Sequence, residues 1–215
     1  MHTLPISVYP FAICLSALAG CVDAIGFLQL GGYFISFMSG NSTRLAVGLL
    51  TGNMQAVALL GTILACFVIG TMLGALARHF SKNMRPAVTV LALVTALLAA
   101  AALCYEGRWI LPAVICMTMA MGAENAVFQR DGHVVVGLTY MTGTLVKVGQ
   151  QLANALTGGP RFAWLPYLLL WLGLISGGMT GALLFYIFGL HSLCIAVLWA
   201  AGLTAVARMK GEGLG

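Results

Sequence analysis

Apolar residues run along this chain in long blocks, and polar residues are confined to short interruptions between and inside them. Residues 56–77, 86–105 and 162–190 contain no Asp, Glu, Lys or Arg. A bilayer core of about 30 Å needs about 20 apolar residues per helix, so blocks of this length predict membrane-spanning helices. A transmembrane barrel would instead show segments of about 10 residues with alternating polarity, and these blocks do not alternate. The pattern predicts helices near 9–28, 56–77, 86–104, 109–128, 163–188 and 191–207, with two polar-centred segments near 33–52 and 134–156.

The pattern also repeats. Gly20-Cys21-Val22-Asp23-Ala24 resembles Gly122-Ala123-Glu124-Asn125-Ala126, and Phe27 loosely matches Phe128. Met38-Ser39-Gly40-Asn41 resembles Met141-Thr142-Gly143-Thr144, with Arg44 opposite Lys147. The stretch from Gly70 to Leu76 resembles the one from Gly177 to Leu183. These matches keep their order at offsets of 102, 103 and 107 residues. Self-similarity on this scale reads as a duplication. The expectation is one integral membrane domain over 1–215, built of repeats over about 1–105 and 106–215. The fold class is all-α: a polytopic helical membrane protein, with about three spanning helices and one broken or re-entrant polar segment per repeat.

Charge decides how the polar segments are counted. If all eight segments cross, Arg78, Lys82, Arg85 and Arg130 face one side and Arg108, Arg161, Arg208 and Lys210 the other, which is no bias. If 33–52 and 134–156 return to the side they came from, seven of these basic residues share a side and only Arg108 opposes them. The second count follows the positive-inside rule. It places both termini in the cytoplasm and gives the repeats opposite orientations, a layout common among secondary transporters. Seven crossings result if only one polar segment spans.

Composition agrees. Of 215 residues, 61% are hydrophobic and 7% charged, with mean hydropathy +1.02. Soluble domains average about 25% charged residues. The net charge of +5 does not imply nucleic acid, because the basic residues form no single stripe and no soluble domain carries one. The six cysteines lie in apolar stretches without C-x-x-C spacing, and read as small buried hydrophobes with no metal site. The first apolar run lacks a basic leader and a small-residue cleavage site, so it reads as a retained helix. No H-E-x-x-H, G-x-S-x-G or Walker motif occurs; the reading is of a non-enzyme without cofactor.

The candidate chemistry sits in the polar segments. Phe37-Met38-Ser39-Gly40-Asn41-Ser42-Thr43-Arg44 sets one charge and four hydrogen-bonding side chains into an apolar run. Ser39 and Asn41 read as helix N-caps, and Gly40 as the break that starts a short helix over 42–50. The free N–H groups of such a helix attract anionic or carbonyl oxygen. Thr142, Gly143, Thr144 and Lys147 offer the same in the second copy. Irregular backbone at this depth is tolerated only where protein or a wet cavity covers it. Asp23 and Glu124, two of five acids, fall near matching positions, with Asn125 aligned to Asp23.

A charge at the bilayer centre costs about 2.5–3.5 kcal/mol on insertion scales. Asp23 is therefore expected to pair with Arg44, and Glu124 with Lys147. The alternatives are interfacial anchoring of the acids, snorkelling of the bases, and closed structural salt bridges. Thus Asp23, Ser39, Gly40, Asn41, Thr43, Arg44, Glu124, Asn125, Thr142, Gly143, Thr144 and Lys147 are the candidate substrate-binding or gating residues. A pocket lined by Asn41 and Thr144 would favour solute handling. The spacings Gly70/Gly74 and Gly177/Gly181 let helix backbones approach closely. They read first as packing between the halves, and alternatively as a homodimer face.

Gly20-Cys21-Val22-Asp23-Ala24-Ile25-Gly26-Phe27 and Phe37-Met38-Ser39-Gly40-Asn41-Ser42-Thr43 resemble motifs of the YoaK-like family of bacterial multi-pass membrane proteins. The resemblance extends over nearly the whole chain. It implies a location in the bacterial cell (inner) membrane and carries no established activity or substrate. The functional expectation is a small secondary transporter or exporter of a small polar or anionic solute. A passive channel and a non-transporting membrane scaffold or partner subunit are the rival readings.

Overall fold

The computed structural model describes residues 8–81, 85–130, 133–134 and 137–210; Lys82, Asp131 and Glu212 lie outside them. The chain is a multi-pass all-α membrane protein. Its helices are α1 (Tyr9–Gln29), α2 (Met38–Thr51), α3 (Met54–Phe80), α4 (Pro86–Glu106), α5 (Ile110–Glu124), α6 (Met141–Leu156), α7 (Leu165–Phe188) and α8 (Ser192–Lys210). A two-residue antiparallel pair, Gln129–Arg130 with His133–Val134, follows α5. Proline opens α1, α4 and α7 within their first two positions, where its missing N–H leaves no intrahelical bond unmade. Gly189, at φ +60°, ends α7 and turns the chain into α8.

Helix length sorts these elements. At 1.5 Å per residue, α1, α3, α4 and α7 run about 31–40 Å and are long and apolar enough to cross the bilayer. By the same measure α2, α5 and α6 are only about 21, 22 and 24 Å long, and of these α5 alone is apolar. The helix expected over 109–128 stops at Glu124, and residues 125–128 form turns.

Glycines fix the central crossings. A Cβ on Gly173, Gly177 or Gly181 would strike the backbone of Ile13, Ala17 or Cys21 in turn. Contacts advancing in the same direction on both chains make α1 and α7 parallel neighbours. Likewise a Cβ on Gly70 or Gly74 would strike the backbone of Met119 or Ala123, so α3 and α5 run parallel. These glycine faces are filled within the chain, which corrects the homodimer reading of Gly70/Gly74 and Gly177/Gly181. Close approach is available only because no side chain intervenes.

Two further contacts orient the ends. The Arg85 guanidinium donates to the Arg208 carbonyl, joining the start of α4 to the end of α8. His191, between α7 and α8, meets Glu106 at the end of α4, at 2.8 Å. The chain therefore leaves α1 and begins α3 at the Glu106–His191 end, so α2 turns back to the end from which it came. The same reasoning returns α6 to the Arg85–Arg208 end. Leu15, Leu18, Leu91, Leu98, Met117 and Met121 are fully buried between the helices. Val68, Met72, Leu183, Ile187 and Leu198 face outward as an apolar surface for lipid.

Candidate functional site

The polar segments enter their helices through irregular backbone. After α1, Gly31 and Gly32 take positive φ, +64° and +111°, and release residues 33–37 as an unwound stretch. Its backbone groups need partners, and two side chains supply them. The Asp23 Oδ1 accepts the N–H groups of Ile35 and Ser36, both at 2.7 Å. Asn41 reaches back to Phe34: its Oδ1 accepts the Phe34 N–H at 3.1 Å and its Nδ2 donates to the Phe34 carbonyl at 2.7 Å. Asn41 is completely buried.

The approach to α6 is held more sparsely. Asn125 donates through Nδ2 to the Met121 carbonyl at 3.0 Å, and its Oδ1 accepts the Thr139 hydroxyl at 3.2 Å. Thr144 donates to the Tyr140 carbonyl at 3.2 Å. Asp23 and Asn125 thus do corresponding jobs: each ties its helix to the approach to the following short helix.

This geometry changes several roles expected from the sequence. The breaks precede the Gly-centred motifs: α2 starts at Met38 and α6 at Met141. The flanking residues are Phe37 and Tyr140, and neither helix has a side-chain cap. Ser39 and Asn41 are first-turn residues rather than N-caps. Thr43 donates to the Ser39 carbonyl of its own helix at 3.2 Å. Asp23 does not pair with Arg44, whose exposed guanidinium lies 5.6 Å from the Tyr33 ring centre and 5.7 Å from that of Phe34. Glu124 does not pair with Lys147, whose Nζ sits 5.4 Å from the Tyr167 ring centre. Rings satisfy these cations locally, within the roughly 6 Å range of a cation–π contact. Glu124 is completely buried, and neither of its carboxyl oxygens has a hydrogen-bond partner among the described residues.

What the fold brings together is the two helix starts. A cavity of about 320 Å³ is walled by Ser36, Phe37, Met38 and Ser39 at the start of α2 and by Thr139, Tyr140, Met141 and Thr142 at the start of α6. Phe67, near the middle of α3, completes it and sets its depth within the bundle. The first helical N–H bonds are those of Asn41 to Phe37 and Thr144 to Tyr140. The N–H groups of Ser39 and Gly40, and of Thr142 and Gly143, are thus left without an intrahelical acceptor, beside the cavity. A Cβ at Gly143 would meet nothing within 4 Å. Of the candidates, Ser39 and Thr142 are walls. Asn41 and Thr144 are not; they stand behind the walls as buried supports. Ser36 was not among the candidates, and Thr139, though it opens the second polar motif, was not singled out; the two share the 103-residue offset of Ser39 and Thr142. Phe67 carried no signal, since it is one apolar residue in an apolar helix.

Residues 11–206 match the family described as "Protein of unknown function (DUF1275)". The chain belongs to this family. Among DUF1275 relatives, it is 39% identical over 193 residues to UPF0700 transmembrane protein RA0705 of Rhizobium meliloti (strain 1021), covering 90% of this chain and 83% of the relative. It is 30% identical over 152 residues to UPF0700 transmembrane protein YoaK of Bacillus subtilis (strain 168), covering 67% and 66% of the respective chains. No solved structure matches this DUF1275 chain. The family match and these two relatives bear out the resemblance drawn from the Asp23 and Ser39–Gly40–Asn41 motifs.

Proposed function

We propose that this chain is a small secondary transporter or exporter for a small polar or anionic solute, bound where the starts of α2 and α6 meet. One observation carries the reading: two helix starts without side-chain caps adjoin one cavity rather than two separate surfaces. Positive helix ends and free N–H groups favour oxygen acceptors with negative charge. The cavity wall supplies hydroxyls at Ser36, Ser39, Thr139 and Thr142 and apolar surface at Phe37, Met38, Phe67 and Met141.

The proposed layout is an inverted duplication in a bacterial inner membrane, with both termini cytoplasmic. It is supported by exchanged packing, in which α1 lies on α7 as α5 lies on α3. Asp23 would position the unwound stretch, while Glu124, whose acceptors are unused, would be the coupling acid. No cofactor or bond-making chemistry enters this scheme.

The test is flux of small organic and inorganic anions into proteoliposomes, with and without a proton gradient. We expect wild-type uptake, loss in Ser39→Leu and Thr142→Leu, and loss of gradient dependence in Glu124→Gln. Gradient-independent wild-type flux would assign a passive channel instead. The scaffold reading also has an observation behind it, since Asp23 and Asn41 are engaged in holding backbone. Absence of flux across the panel, with all variants behaving as wild type, would select the scaffold.

A further inference from the structure

A second opening lies away from the α2–α6 cavity, on the flank where α1 meets α7. It is an open crevice of about 260 Å³. Gly20, Asp23, Ala24 and Phe27 form one wall, spaced three and four residues apart so that they share one face of α1. Leu174 and Gly178 of α7 face them, and Phe34 closes the end. Gly20 lets the two helices approach closely, since a Cβ there would strike the Leu174 carbonyl, and Gly178 leaves room beside that contact.

The contents of this crevice are chemically specific. One carboxyl group stands among apolar and aromatic surfaces, with no basic residue in the wall. The Asp23 Oδ1 is engaged by the Ile35 and Ser36 N–H groups. The Phe27 and Phe34 rings lie 4.8 Å apart, centre to centre, and inclined at 39°. The Phe34 ring already has the Arg44 guanidinium 5.7 Å from its centre, so Phe27 is the ring left for a further cation. A carboxylate beside two aromatic faces suits an ion that is positively charged, bulky and weakly hydrated. Organic ammonium ions fit that description and gain from ring faces when partly desolvated. A small metal cation would need several oxygen ligands, and the wall offers one carboxyl group.

We infer that the crevice between α1 and α7 binds small organic ammonium ions, with Asp23 as counter-charge and Phe27 and Phe34 as aromatic walls. This site is separate from the α2–α6 cavity and does not depend on transport. The two are joined through Ser36, whose N–H is held by Asp23 and which also walls the cavity.

The experiment is saturation-transfer NMR on the full chain in non-ionic detergent, with tetramethylammonium as probe and tert-butanol as an uncharged ligand of similar size. Saturable binding of tetramethylammonium, with much weaker binding of tert-butanol, is expected. Asp23→Asn should weaken binding at least about thirtyfold, as loss of a partly buried charge partner does. Phe27→Leu should weaken it about threefold to tenfold by removing a ring face. Gly178→Leu fills the crevice from a position whose Cβ would lie 3.7 Å from the Gly20 carbonyl oxygen, an ordinary contact, and should abolish binding. Asp23→Asn alters the hold on Ile35 and Ser36, so the Gly178→Leu and Phe27→Leu results keep the test independent of that effect. No saturable binding to wild type, equal binding of tert-butanol, or undiminished binding in Gly178→Leu would each overturn the assignment. Ser39→Leu, outside the crevice wall, should leave tetramethylammonium binding unchanged whether or not the anion-flux test succeeds.

Discussion

Asn41 shows how much of this site is held by single side chains. Its amide forms both hydrogen bonds that a neighbouring strand would have formed with Phe34, in a position with no access to water. Removing it leaves the partly buried Phe34 N–H and carbonyl without these partners, at up to about 1–3 kcal/mol for such groups. Asn41→Ala should therefore lower stability by about that amount in denaturant unfolding of the micellar protein. An unchanged unfolding midpoint would show that the 33–37 stretch is held some other way. Glu124 is the opposite case, with two buried oxygens that hold nothing. Glu124→Gln should leave the unfolding midpoint near wild type, which separates its proposed coupling role from a structural one.

At the scale of helices, the crossings depend on absent side chains. Gly177 lies against the Ala17 backbone, which has no flexible end to move aside. Gly177→Val should force α1 and α7 apart and destabilise the fold by about 3 kcal/mol or more, the upper range for overpacking. Gly61, on α3, is the contrasting case, because a Cβ there would meet nothing within 4 Å. Gly61→Ala should be tolerated and gain up to about 1 kcal/mol of helix propensity. Thermal unfolding of both variants beside wild type measures the contrast; equal effects would mean that the close crossings are not what sets stability.

For the whole molecule, the decisive property is which way α2 and α6 return. Asn53, just after α2, should share a side with Arg108, and Gly159, just after α6, should lie opposite with Ser81. Single cysteines at these four positions, in a background where the six native cysteines are replaced, would report this through an impermeant maleimide in intact cells. Labelling of positions 53 and 159 from the same side would rule out the proposed inverted arrangement and, with it, the meeting of the two helix starts inside the bundle.

Membrane residence, the spanning helices and the presence of two special polar segments were legible in the sequence. Each follows from solvent: uninterrupted apolar length has one economical environment, and polar groups within it stand out against that background. The charge count also favoured returning segments, because basic residues distribute by side of the membrane. The partners of Asp23, Arg44, Glu124 and Lys147 were not legible. Opposite charges invite pairing on paper, whereas in the fold an unwound backbone competes for Asp23, and nearby rings receive Arg44 and Lys147. The shared cavity, the crevice beside Asp23 and the burial of Glu124 arise only when helices from distant parts of the chain cross. Hydrogen bonds and cavities are short-range, set by distances of a few ångströms that periodicity along one strand of sequence does not encode.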